Sequence, residues 1–161
     1  MLNAIAAEGF NRLTESMTKA AESGNNAMAR LRLSGRGYVD FALRFPQHFV
    51  VMFESPQPIK TNLESRQAGE RAFHTLTRYI EECQQAGSIP DGDSTRLALL
   101  AWSLVHGIAK LANNGRFPFS RKTDVLAFTD MATQTFLSGI AGMPGKAISG
   151  PSLSPKKRPC R

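Results

Sequence analysis

Cysteine is nearly absent from this chain. The two it has, Cys83 and Cys160, stand in unrelated settings. They offer neither a disulfide framework nor the paired spacing of a thiolate metal site, and a reducing compartment is the default. Histidine is equally sparse: His48, His74 and His106 are not spaced as a metal set on one helix. No glycine-rich phosphate loop occurs. The N-terminus lacks a basic segment followed by an apolar one, so no secretory signal is expected and a cytoplasmic location is. No apolar run is long and unbroken enough to span a membrane. Strand-type alternation and internal repeats are missing too, which points to an all-α architecture.

What remains is enough for a core. A chain of 161 residues with 42% hydrophobic content fits one domain. The net charge of +7 suggests nucleic acid at first sight, but five of the basic residues (Lys146, Lys156, Lys157, Arg158 and Arg161) lie after Met143, where there is no acid. The preceding 142 residues carry 15 basic and 13 acidic side chains and show no basic cluster of the kind phosphate binding requires. The reading is therefore a folded body over residues 1–142 and a disordered basic tail over 143–161, rich in Gly, Pro, Ser, Lys and Arg.

The stretch from Arg96 to Leu111 organises the body. Leu97, Leu100, Ala101, Leu104, Val105, Ile108 and Leu111 cover more than half of a helix circumference, so a buried central helix is expected. Trp102 and His106, four residues apart, share a face. Gly107 in mid-helix costs about 1 kcal/mol against Ala, which suggests a backbone or a ligand passing close by.

Five further helices are expected around it. Residues 2–23 form an amphipathic helix with Leu2, Ile5, Gly9, Leu13, Met17 and Ala20 on one face, ended by Ser23-Gly24-Asn25-Asn26, with Gly24 as a left-handed cap. Residues 27–45 form a second, weakened and bent at Gly35 and Gly37. Pro46 ends it and opens a short third over 46–54, followed by a loop over 55–61. Residues 62–86 form the fourth, closed by Gly87. Asp93 or Ser94 caps the central helix, and Thr123 or Asp124 caps the last, over roughly 124–141. On that last helix Phe128, Ala132, Phe136 and Ile140 mark one face, and Leu126, Thr133 and Leu137 add another. So broad an apolar surface points to an oligomer.

Catalysis has little support. The central helix carries no carboxylate to orient His106 as a base, Ser103 beside it is no nucleophile arrangement, and Cys83 faces a core, where thiols are inert. No metal and no cofactor is expected. The aromatic and methionine set (Phe41, Phe45, Phe49, Met52, Phe53, Phe73, Tyr79 and Trp102) is mostly plain core, but with polar groups such as His106 and Tyr79 it is also the mix that lines apolar ligand pockets between helices.

Three ordered blocks, residues 2–13, 38–53 and 102–107, resemble the C-terminal regulatory domain of the tetracycline-repressor-like (TetR) transcription regulators. The last resembles the Trp-His-Gly signature of one subclass, carried by Trp102, His106 and Gly107. The resemblance implies an all-helical ligand-binding and dimerising domain of about six helices. It implies that residues 93–113 and 121–141 pair with their twofold mates in a four-helix bundle, engaging Leu99, Ser103, Lys110, Phe128, Ala132, Phe136 and Ile140. The family's helix-turn-helix unit would precede Leu2 and is expected to be absent from these residues, so DNA would be reached only through it. The expected partners are a second copy and a small apolar or aromatic ligand, with Trp102 as pocket wall and His106 as polar anchor. The alternatives are a helical module whose whole activity is dimerisation and a helical cofactor protein held by His74 and His106.

Overall fold

The computed structural model describes residues 2–54 and 63–144, with the side chains of Leu2 and Asn3 excepted. It is all-α. The helices are α1 (Leu2–Ala21), α2 (Ala27–Arg44), α3 (Pro46–Glu54), α4 (Leu63–Gln85), α5 (Ser94–Asn113) and α6 (Lys122–Ala141), and no strand occurs among the described residues. The expected boundaries agree to within about two residues, the normal fraying at helix ends. The loop expected at 55–61 and the tail beyond residue 144 lie outside the described residues.

Local chemistry sets most of the ends. The Asn26 side chain accepts from the Ala29 N–H at 2.8 Å and so caps α2. Asp93, not Ser94, caps α5, accepting from the Arg96 N–H at 3.0 Å. Gly87 has φ +65° and closes α4, with the Ser88 N–H reaching back to the Cys83 carbonyl. Two expectations fail. Gly24 is not left-handed. It is small because the Arg30 backbone lies against it, 2.7 Å from where a Cβ would be. And α6 begins ahead of Thr123 and Asp124, at an Arg121 N-cap with no side-chain cap bond. Asp124 falls in the first turn, where its carboxylate complements the helix dipole and pairs with Arg121.

The hub is α2 rather than α5. It packs against all five other helices, whereas α5 packs chiefly on α2, α4 and α6. Two glycines let α2 do this. At Gly37 the backbone lies on α1, and Ser16 Oγ donates to the Gly37 carbonyl at 2.9 Å. At Gly35 a Cβ would meet Val105 at 3.2 Å and Thr133 at 3.3 Å, which is where α5 and α6 cross. Phe41, Val39 and Ala42 complete the buried face. Ion pairs fasten the edges: Arg32 and Arg36 both reach Asp130 on α6, and Arg30 reaches Glu82 on α4.

The expectation that α5 is a buried central helix, with Leu100 and Leu111 on its buried surface, is therefore corrected. Leu97, Ala98, Ala101, Val105, Ile108 and Ala109 are buried, but Leu100 is 54% and Leu111 46% exposed. Gly107 likewise faces open space, with nothing within 4 Å of a Cβ placed there. Among the described residues neither a backbone nor a side chain explains it.

Candidate functional site

A cavity of about 310 Å³ opens between the helices. α1 supplies Phe10, Leu13 and Met17, α2 Tyr38 and α3 Phe53. α4 adds Gly69, Ala72, Phe73 and Leu76, and α5 Leu99 and Trp102. The floor is buried: Leu13, Met17, Tyr38, Ala72 and Leu76 are all almost inaccessible. Phe53, Gly69, Phe73, Leu99 and Trp102 keep some exposure and form the rim, so the mouth lies on the α4–α5 side. The small residues Gly69 and Ala72 make room on α4, and the Phe10 ring sits 3.4 Å from where a Gly69 Cβ would be.

One chain of polar groups borders this space. The Trp102 Nε1–H donates to the Tyr38 hydroxyl oxygen at 3.1 Å. The Tyr38 hydroxyl in turn lies 2.8 Å from His106 Nδ1. Burial raises the Tyr38 pKa above the usual phenol range, so the hydroxyl keeps its proton to donate. Burial also lowers the His106 pKa, and nearby Lys110 adds to this while Glu54 partly opposes it. With the neutral imidazole in its Nε2–H tautomer, Nδ1 accepts and the chain is complete: Trp donates to Tyr, and Tyr donates to His. The imidazole stacks on Phe49 at 5.2 Å and meets the edge of Phe53 at 4.8 Å.

The lowered His106 pKa carries a consequence for stability. In the unfolded chain His106 protonates near its ordinary value of about 6.5, and in the fold only at lower pH. Its contribution is complete above that ordinary value and is lost as pH falls towards and through the folded pKa. Urea midpoints should therefore drop between pH 7 and pH 5 more steeply for the native protein than for His106→Leu. Equal slopes in the two proteins would show that His106 is not held neutral.

The expected pocket residues divide. Trp102, Phe53 and Phe73 line the cavity. Phe41, Phe49, Met52 and Tyr79 are buried in the core, away from its described wall. Phe45 is half-buried on Phe41, with the Arg12 guanidinium over its ring at 5.2 Å. His106 stands one side chain behind the wall and backs three residues of it: Tyr38, Phe53 and Trp102. Leu99, expected in the dimer contact, sits on the rim. Phe10, Leu13, Met17, Tyr38 and Leu76 were not anticipated as wall. The spacing of Ala6, Phe10, Leu13 and Met17 would have found the rest of the α1 contribution, since it places Phe10 beside Gly9, Leu13 and Met17, which were expected on the buried face and are buried.

The expected dimer residues also divide. Ser103 is exposed, and its hydroxyl bonds back to the Leu99 carbonyl at 2.7 Å. Lys110 is paired with Glu54 on α3 at 2.7 Å. Phe128 packs on Phe117 and Phe119 of the α5–α6 connector, Ala132 and Phe136 are half-buried, and Ile140 is already inside the core.

Other chemistry finds no footing. Burial, then the Glu82 charge, pushes the Cys83 thiol up to about 11, so it stays protonated. His74 is exposed on α4 while His106 is turned inward. Among the described residues no three His, Cys, Asp or Glu side chains gather to hold a metal ion, and no helix is long and apolar enough to cross a membrane.

Comparison with known proteins supplies a context. Residues 31–136 match the family described as "Tetracyclin repressor-like, C-terminal domain". Among solved structures, the chain is similar to a protein of unknown function from Rhodococcus sp. RHA1, with 33% sequence identity and a TM-score of 0.79, over 87% of this chain and 71% of that one. No curated protein matches the chain.

Proposed function

The chain belongs to the tetracyclin repressor-like C-terminal domain family, and from that premise we propose that it is the ligand-sensing and dimerising domain of a bacterial transcription regulator. The observation that carries the sensing half is the cavity itself. Five helices close around about 310 Å³ of space with a carbon-rich wall. Cavities of this kind take small molecules that are apolar or aromatic.

The mechanism follows from which helices form the wall. α1 provides three wall residues and is pinned to α2 at Gly37 and to α3 at Gly9, where a Cβ would lie 2.5 Å from the Met52 sulfur. A bound ligand fills the space between this three-helix body and α4. It therefore favours one setting of α1 against α4, which is a shift of population between two arrangements. In a longer regulator a helix-turn-helix unit ahead of α1 would read that setting out on DNA. The cytoplasm, where DNA and small metabolites meet, is the corresponding location.

The dimerising half rests on the outer edges of α5 and α6. Leu100, Leu104, Gly107 and Leu111 line one edge of α5, and Met131, Thr135 and Gly139 lie along α6. Leu104 and Phe136 border the same small internal gap, so the two edges adjoin. Gly139, like Gly107, faces open space. A glycine there weakens its own helix with no packing gain among the described residues. Close approach of a second copy's helices supplies the reason. Neither edge needs a ligand to associate, so an activity consisting of dimerisation alone is the rival reading.

Binding separates the two. A panel of small uncharged aromatic and aliphatic compounds, titrated against the fluorescence of Trp102 on the rim, should reveal at least one that shifts the emission and raises the melting temperature. His106→Ala should weaken that binding only indirectly, through the loss of the Tyr38 acceptor. A panel without any binder leaves dimerisation as the whole function.

A further inference from the structure

The composition of the wall narrows what the cavity holds. Its described lining contains no charged side chain, and its polar atoms are the Tyr38 hydroxyl and the Trp102 N–H. Both are already engaged: the indole N–H by the hydroxyl oxygen, and, with His106 in its Nε2–H tautomer, the hydroxyl proton by Nδ1. The Lys110 ammonium, whose charge acts on His106, is held by Glu54 at 2.7 Å. A guest therefore meets carbon and spent hydrogen bonds.

We propose that the site takes an uncharged, carbon-rich molecule of about two fused six-membered rings, and that Tyr38 sets this preference by occupying the Trp102 N–H. The proposal rests on the ligand-sensing reading above and deepens it. Size follows from volume. An apolar cavity of roughly 150 Å³ stays dry and accepts benzene, and the volume here, 310 Å³, is about twice that. Charge follows from the wall. A carboxylate entering this space would leave water for a site whose described lining has no cation and no free donor, the costliest kind of burial. A ketone would leave one hydrogen bond behind, a smaller loss of the same kind.

The role of Tyr38 follows from the direction of the bonds. Without its hydroxyl, the Trp102 N–H has no acceptor and points at the space the oxygen vacated, beside the cavity. A carbonyl oxygen on the guest would then accept that N–H. Tyr38 thus hides a donor that would otherwise recognise oxygenated molecules. In this view His106 keeps the hydroxyl turned away from the guest by taking its proton.

Calorimetric titration at pH 7.5 with tetralin, 1-tetralone and 1,2,3,4-tetrahydro-1-naphthoate tests both parts. The native protein should bind tetralin tightest, the ketone about tenfold more weakly, and the carboxylate at least about a hundredfold more weakly. In Tyr38→Phe the tenfold gap between tetralin and the ketone should close or invert. Adding Trp102→Phe should restore the original order, because the donor is then gone. A native protein that prefers the ketone or the acid overturns the proposal, as does a folded Tyr38→Phe that keeps the native order. If Tyr38→Phe does not fold, the order in the native protein decides the chemical class by itself. Failure of all three compounds to bind also overturns the proposal. The sensing reading falls separately, only if the broad panel finds no binder either.

Discussion

Gly37→Val lowers the unfolding free energy by about 3 kcal/mol and the melting temperature by roughly 10 °C. A Cβ at this position would lie 2.5 Å from the Ser16 carbonyl oxygen, 2.9 Å from the Ala20 Cβ and 3.0 Å from the Met17 Cα. Two of these atoms are main chain and cannot swing aside, so α1 itself has to back away from α2. That movement breaks the bond from Ser16 Oγ to the Gly37 carbonyl and shifts Met17, which forms part of the cavity floor. Helix propensity works the other way but favours valine over glycine by only a few tenths of a kcal/mol. The variant should therefore lose ligand affinity along with stability. Thermal and urea melts followed by circular dichroism measure the first, and repeat titrations measure the second. A midpoint within about 0.5 kcal/mol of the native one would mean that α1 and α2 have room to spare at this crossing.

Leu100→Glu combined with Leu111→Glu weakens self-association by at least about a thousandfold, or some 4 kcal/mol, while leaving the subunit folded. Both side chains are substantially exposed in the single chain, so a carboxylate at either position stays solvated there. In a twofold dimer the same two positions recur on the partner, and four carboxylates would enter one apolar contact with no cation provided for them. Sedimentation equilibrium over a range of concentrations reads the association constant, and far-ultraviolet circular dichroism confirms the fold. A double variant that still sediments as the native dimer would place the interface elsewhere. A native protein that remains monomeric at high micromolar concentration would remove the dimerising half of the proposed function.

Much of the site was legible one residue type at a time. Trp102 and His106 were singled out because four residues separate them on an apolar helix, and both belong to the polar chain beside the cavity. Phe53 and Phe73 followed from helical spacing and do line the wall. Tyr38, which connects Trp102 to His106, carried no such mark. It lies some sixty residues from either partner, on another helix, and only the crossing of α2 with α5 brings the three together. Phe10 was passed over for a different reason. The stripe read on α1 held Gly9, Leu13 and Met17, all of them buried, but it was drawn too narrow: Phe10 lies beside Met17 around the helix and is buried with them, and the breadth of a buried face depends on the helices that cover it. Among the aromatic set, periodicity cannot separate Phe41 and Phe49, which fill the core, from Phe53, which faces a void. All three are apolar residues on buried helix faces, and the distinction is whether a neighbour happens to fill the space beside them.

By itself the sequence determined the class of fold, the six helices and most of their ends. These are local properties: a repeat of apolar residues near 3.6, a proline at the head of α3, and short polar side chains such as Asn26 and Asp93 that satisfy free backbone N–H groups within a few residues. Tertiary structure alone decided which helix is the hub. A run of leucines shows that α5 seeks burial on most of its surface, but hydrophobicity carries no address, and a leucine waiting for a second copy reads the same as one packed inside its own chain. Glycine behaves likewise. The same residue marks close contact at Gly37 and open space at Gly107, because what a missing side chain leaves room for depends on the helices that approach it.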